Sequence, residues 1–211
     1  MTKVKICGLK DAANLQVAIE GGADYVGLVF YEPSPRFVST QIAENLAAQI
    51  PDFVKTVGLF VDPADSDLEH ILDRVKLDMI QLHGDETLER ISAIKKKFDF
   101  EIIKAHRIAS KKDIEMSQKY EDVADYLMFD ARVEGESLPG GTGKSFDWEI
   151  LAGHDPKIPR FLAGGLTPEN VTKAIRTCRP DAVDVSSGVE SARGIKDPEK
   201  IRAFLRAVKS A

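Results

Sequence analysis

Eight short apolar, β-branched runs recur along the chain, each followed by a helix-like stretch. They are VKICG (4–8), YVGLVF (25–30), TVGLFVD (56–62), MIQLHG (79–84), EIIKAH (101–106), YLMFDA (126–131), RFLAGG (160–165) and AVDVSSG (182–188). Their starts lie mostly twenty-odd residues apart, which is the length of one strand, one helix and two short loops. Helix starts fill the gaps. Ser39 and Thr40 precede Ile42, Leu46 and Ile50, and Thr167-Pro168-Glu169 reads as an N-cap with Pro at the first helical position before Val171, Ala174 and Ile175. Strict strand–helix alternation calls for a parallel sheet covered by helices. Eight units over 1–211, with no linker or composition break, favour a single-domain (β/α)8 barrel over an open doubly wound sheet.

A barrel puts chemistry at the C-terminal ends of its strands, and strand alternation says which side chains can reach it. Lys3, Lys5 and Cys7 share one face of the first strand, while Val4 and Ile6 share the other and should pack on helices. The same reading sends Gln81 and His83, Met128 and Asp130, and Asp184 and Ser186 inward. Cys7, His83, Asp130 and Ser186 stand at or near strand ends. An unpaired lysine inside a barrel costs several kcal/mol. Strands one and eight are neighbours after closure, so Asp184 is the candidate partner of Lys5; a snorkelling or purely structural Lys5 is the alternative.

Two intervals are long and rich in Pro, Gly and charge: YEPSPRF (31–37) and RVEGESLPGGTGKSF (132–146). The second is not a phosphate-binding P-loop, because the position five before Gly143 is Leu138 and no strand leads into it. A Gly-rich lid containing Gly141 is the functional reading. AGGLTPENV (163–171) and SSG (186–188) end strands seven and eight, where barrels of this kind bind phosphate with backbone amides. Gly164, Gly165, Ser187 and Gly188 are therefore candidates for that task. Other polar residues have plain alternatives. Cys178 reads as a small buried hydrophobe, His83 as either a core histidine or a substrate contact, and Asp62 as a cap for the next helix. Arg36, between Pro35 and Phe37, is by default a solvated loop arginine.

The net charge of −5 speaks against a nucleic-acid surface, and leaves an anionic substrate to be held by local positive features. Two distant cysteines fit a reducing cytoplasm. No export signal and no membrane-spanning run is expected. No His/Cys/Asp cluster has metal-ligand spacing, so no metal is expected.

KICGL (5–9), SPR (34–36), GLFV (58–61), QLHGDE (81–86), GGTGKSFDW (140–148), FLAGGLTPENV (161–171) and DVSSGVE (184–190) together resemble the signature segments of the phosphoribosylanthranilate isomerase family. The resemblance runs in order over nearly the whole chain. It implies a cofactor-free Amadori rearrangement of N-(5′-phosphoribosyl)anthranilate to 1-(2-carboxyphenylamino)-1-deoxyribulose 5-phosphate, in tryptophan biosynthesis. It further implies Cys7 as general base, Asp130 as general acid, Arg36 on the anthranilate carboxylate, and Gly164, Gly165, Ser187 and Gly188 around the phosphate. Lys5 is expected to raise the thiolate fraction of Cys7. Lys10, where a small hydroxyl residue often follows KICGL, and the polar KAHR (104–107) depart from the pattern. The rival readings are another phosphosugar barrel, such as an epimerase or a histidine-pathway isomerase, and a non-catalytic phosphate-ligand binder. A monomer or weak homodimer is expected.

Overall fold

The computed structural model describes residues 1–131, 148–151, 154 and 156–211. Eight parallel strands close in sequence order: β1 (Lys3–Cys7), β2 (Tyr25–Val29), β3 (Lys55–Phe60), β4 (Met79–Leu82), β5 (Glu101–Ile108), β6 (Tyr126–Ala131), β7 (Arg160–Leu162) and β8 (Ala182–Val185). Closure occurs between β1 and β8, where Lys5 is in register with Asp184. Helices α1 (Ala12–Glu20), α2 (Thr40–Ala47), α3 (Asp65–Leu72), α4 (Leu88–Phe98) and α5 (Lys111–Ser117) follow the first five strands. Helices α6 (Val171–Cys178) and α7 (Pro198–Lys209) belong to the seventh and eighth. Between β6 and β7 the described residues contribute a 3₁₀ turn, Trp148–Leu151. The barrel expectation holds, and so does every strand assignment.

The two faces of each strand meet different environments, as alternation requires. Val4, Ile6, Leu28, Ile80, Ile102, Leu127 and Val183 join the layer between barrel and helices. Inside the barrel, Tyr25, Val57, Met79, Ile103, Met128 and Phe161 pack against each other. Each fully buried side chain of this size contributes about 1.5–3 kcal/mol. Phe161 meets Tyr25 and Tyr126 edge-on, at centroid distances of 5.3 and 5.7 Å, and the three rings plug the N-terminal end. Above them the inward positions turn polar, which leaves the C-terminal end for chemistry.

Helix starts follow local signals with two exceptions. Ser39 Oγ accepts from Ile42 N and caps α2. Helix α6, however, begins at Val171 and not after Thr167. Asn170 explains the delay: its Oδ1 accepts from Thr167 N, its Nδ2 donates to Gly165 O, and residues 167–170 form a turn ahead of the helix. Asp62 does not cap α3, whose N-cap is Ala64. Its backbone takes a left-handed φ of 46°, and its Oδ1 accepts from Asp85 N, joining the β3 and β4 exits. The polar β5 also has an explanation. Lys104, buried on the helix side, donates to Glu86 Oε2 at 2.6 Å and to Gly84 O at 2.7 Å. His106 lies against the Tyr120 ring, and burial, aided by the charge of Lys104, pushes its imidazole down to about 3.

The chain after β8 adds a small feature that strand periodicity did not reveal. A 3₁₀ turn (Ser187–Val189) leads into an antiparallel hairpin of β9 (Glu190–Ala192) and β10 (Ile195–Lys196).

Candidate active site

A pocket of about 650 Å³, counting the solvent space at its mouth, opens at the C-terminal end of the barrel. Cys7, Arg36, Gln81, His83, Asp130, Gly164, Gly165, Asp184, Ser186 and Ser187 all line it. Of the predicted inward residues, Cys7, Gln81, His83, Asp130, Asp184 and Ser186 thus converge on one space, while Lys5 and Met128 lie deeper in the barrel. Gly141 and the rest of the Gly-rich loop lie outside the described residues.

Cys7 and Lys5 stand one above the other on β1, and the space they need comes from β2. Gly27 is paired in register with Cys7. A Cβ at Gly27 would lie 2.8 Å from Cys7 Sγ and 3.1 Å from Lys5 Nζ, so no larger residue fits there without displacing one of them. Lys5 is fully buried and donates to Asp184 Oδ1 at 2.8 Å, the pairing expected from strand adjacency. Burial works to strip its proton, but Asp184 and Cys7 together outweigh it and hold the lysine above its ordinary value. Cys7 moves in a direction the sequence reading did not anticipate. Burial pushes its thiol up; Lys5 and Lys196 pull it down, Asp184 adds to the rise, and the net direction is upward. Lys5 favours the thiolate, as expected, yet the pocket as a whole disfavours it.

Asp130, at the end of β6, is buried, and its Oδ2 stands 3.2 Å from His83 Nε2. The contact is close but too oblique for a full hydrogen bond. His83 Nδ1 in turn lies 3.1 Å from Gln81 Nε2.

Arg36 is not a solvated loop arginine. The loop after β2 folds back along that strand, with Val38 N donating to Val29 O and Val29 bridging Phe37. Lys10 Nζ donates to Pro35 O at 2.9 Å, which gives that unusual residue a part in holding the loop. Arg36 is consequently buried, and its Nε and Nη2 donate to the two carboxylate oxygens of Glu190 at 2.7 and 2.9 Å. Glu190 also accepts from Lys196 Nζ at 3.0 Å and from Gly194 N at 2.9 Å. Burial pushes the Glu190 carboxyl up, but Arg36, Lys196 and the Gly194 amide prevail and bring it down to about 2. Lys196 further donates to Ser186 O, and Ser186 Oγ donates to Cys7 O at 3.1 Å. The short hairpin therefore ties the arginine loop to the strand that bears the cysteine. Sequence reasoning assigned Glu190 and Lys196 no role. The available signals were Glu190 at the end of DVSSGVE and an Arg193-Gly194 turn between two very short strands, with Gly194 at φ 79°.

At the far side of the pocket Gly164 and Gly165 have φ values of 86° and 64°, conformations that L side chains rarely adopt. They turn the backbone toward the cavity beside Ser187. Helix α6 starts only at Val171, so its first turn does not follow directly on these glycines as the sequence reading had it. Gly188 does not line the pocket. A Cβ there would lie 1.8 Å from Leu166 O, so its lack of a side chain lets the two loops pack together. Cys178 is buried in α6, where burial pushes its thiol up to about 11. Among the described residues, no group of three or more His, Cys, Asp or Glu side chains is placed to hold a metal ion.

The geometry has counterparts of known chemistry. The family model described as N-(5′-phosphoribosyl)anthranilate (PRA) isomerase matches residues 4–207. A protein of Paramagnetospirillum magneticum named N-(5′-phosphoribosyl)anthranilate isomerase is 51% identical over 208 residues, which span 98% of this chain and 97% of its own. The crystal structure of phosphoribosyl anthranilate isomerase from Thermotoga maritima superposes with a TM-score of 0.91 at 36% identity, over 100% of both chains. A crystal structure of phosphoribosyl anthranilate isomerase in complex with reduced 1-(o-carboxyphenylamino)-1-deoxyribulose 5-phosphate gives a TM-score of 0.88 at 34% identity, again over 100% of both chains.

Proposed function

This chain belongs to the phosphoribosylanthranilate isomerase family, and we propose that its pocket carries out the family's Amadori rearrangement with Cys7 as base and Asp130 as acid. The observation that carries the residue assignment is the convergence of a buried thiol and a buried carboxyl on one pocket at the C-terminal end of the barrel. Asp130 gives its proton to the furanose ring oxygen as the C1′–O bond breaks, and the nitrogen lone pair forms the iminium. The iminium acidifies the C2′ proton. Cys7 removes it, the electron pair moves into the C1′–C2′ bond, and the resulting enolamine becomes the ketone by tautomerisation. No cofactor is needed, because the substrate nitrogen is the electron sink. Arg36 takes the anthranilate carboxylate, and the Gly164–Gly165 turn with Ser187 takes the phosphate. We read residues 1–211 as one catalytic domain acting in the cytoplasm as a monomer or weak homodimer. Among the described residues no helix is long and apolar enough to cross a membrane. Conversion of freshly made phosphoribosylanthranilate in a coupled assay tests the activity; a folded chain that leaves it unchanged refutes the reading.

Arg36→Ala is expected to raise KM by about 10–100-fold, the worth of hydrogen bonds to a charged group. A substrate analogue without the carboxylate should lose much less. Equal losses for both would reassign Arg36 to a purely structural task.

The raised Cys7 thiol makes a second expectation. A base that must be deprotonated in the free enzyme gives kcat/KM a rising limb, and burial shifts that limb upward from the ordinary value of 9.0. The pH profile of kcat/KM should therefore still be climbing at pH 9. A thiol limb complete by pH 7 would contradict the burial argument.

A further inference from the structure

Gln81 is fully buried on β4 and faces the pocket two residues before His83, on the same side of the strand. Its amide is half satisfied. The Nε2 end reaches His83 Nδ1 at 3.1 Å and Met128 Sδ at 3.3 Å, while Oε1 is buried without a hydrogen-bond partner among the described residues. A leucine or methionine would fill this position in a barrel interior that already contains Met79 and Met128, and would leave no orphaned oxygen. The amide nitrogen is the part that has neighbours.

The sulfur decides which way the amide points. Thioether sulfur only accepts, so the amide oxygen in that place would set two acceptors against each other. With the nitrogen toward Met128, one N–H faces the sulfur and the other faces His83 Nδ1. That nitrogen must then carry its lone pair, and the imidazole proton must sit on Nε2. Nε2 is the atom 3.2 Å from Asp130 Oδ2.

We infer that Gln81 is a positioning residue that locks His83 in the Nε2–H tautomer, so that His83 addresses Oδ2 of Asp130 and the transferred proton is carried on Oδ1. The inference rests on the reading of Asp130 as the acid. As the Oδ1–H bond breaks and the ring oxygen takes the proton, the electron pair left on the carboxylate is met at Oδ2 by an N–H 3.2 Å away, oblique in the resting pocket and drawn into line as the charge develops. A hydrogen bond of this kind strengthens as charge develops, and so favours the transition state over the ground state. In the other tautomer, a lone pair would face Oδ2 and oppose the same step.

Nitrogen-15 NMR of the histidine-labelled chain reads the tautomer directly, with the His83 signals identified by their loss in His83→Asn. Nε2 should show the shift of a protonated nitrogen and Nδ1 that of an unprotonated one; the reverse pattern overturns the inference without reference to any variant. Gln81→Met keeps the volume and removes the donor. It should abolish the preference for Nε2–H and lower kcat about tenfold, the loss of one charge-assisted hydrogen bond, with KM within about twofold of the wild type. A folded Gln81→Met chain with unchanged tautomer and unchanged kcat refutes the role of Gln81 and leaves the isomerase reading intact. A wild-type chain inactive on phosphoribosylanthranilate refutes that reading whatever the tautomer.

Discussion

Cys7→Ala and Asp130→Asn should each lower kcat on phosphoribosylanthranilate by at least about 10²–10⁴-fold, the usual contribution of a positioned base or acid. Neither group is placed to hold the phosphate or the carboxylate, so KM should change little. The two act on successive steps of one rearrangement, and residues that work as a unit lose activity non-additively. The double variant should then be less impaired than the product of the single losses. Cys178→Ala supplies the control. It is the same chemical change in a buried thiol of α6 that faces Trp148 O and not the pocket, and kcat should stay near wild type. Steady-state kinetics on the four chains decides the matter. If Cys7→Ala turned over as well as the wild type, the base would have to be sought elsewhere, with His83 as the next inward group able to accept a proton.

Asp184→Leu should cost about 3–5 kcal/mol of unfolding free energy, because it leaves Lys5 charged, fully buried and without its carboxylate. Adding Lys5→Met should restore most of that loss, since an apolar pair of similar volume leaves no charge to desolvate. The restored chain should still be a poor enzyme near neutral pH. With the Lys5 cation gone, nothing in the first strand offsets the burial that pushes the Cys7 thiol up. Alkali gives a further check. The folded lysine titrates above its ordinary 10.5, so its contribution is complete below pH 10.5 and disappears as pH rises through the higher folded value. Urea unfolding at pH 8 and at increasing alkalinity should show the gap between wild type and the double variant narrowing. A single variant as stable as the wild type would mean that Lys5 finds water or another acceptor.

Most of the site was legible because a strand alternates with a fixed period. Once β1 is a strand, Lys5 and Cys7 must share a face, and once the barrel closes, Asp184 must stand beside Lys5. The same geometry placed Gln81, His83, Asp130 and Ser186. What escaped had no period to betray it. Thr167-Pro168 carries the local marks of a helix start, but Asn170 satisfies Thr167 N and Gly165 O first, and the turn it makes delays α6. Glu190 and Lys196 sit on strands of three and two residues, too short to show a period. Gly27 carries no mark in the sequence, because the room it leaves is needed by the cysteine and lysine of the neighbouring strand. The net direction of the thiol shift was out of reach for a different reason. The attraction of Lys5 can be read from spacing, whereas the depth of burial that outweighs it is a property of the assembled barrel.

The pairing of Lys5 with Asp184 joins residues 179 positions apart, and this has a consequence for the order of events during synthesis. At about 5–20 residues per second, the first strand leaves the ribosome on the order of ten seconds or more before its partner exists. Throughout that wait the lysine stays hydrated and one edge of β1 stays open, a template for pairing with the wrong strand. Arrival of β8 and the hairpin behind it closes the sheet, dehydrates the lysine and ties Ser186 to the Cys7 carbonyl together. Lys5 and Cys7 thus gain their buried surroundings only once β8, the last strand of the barrel, has emerged.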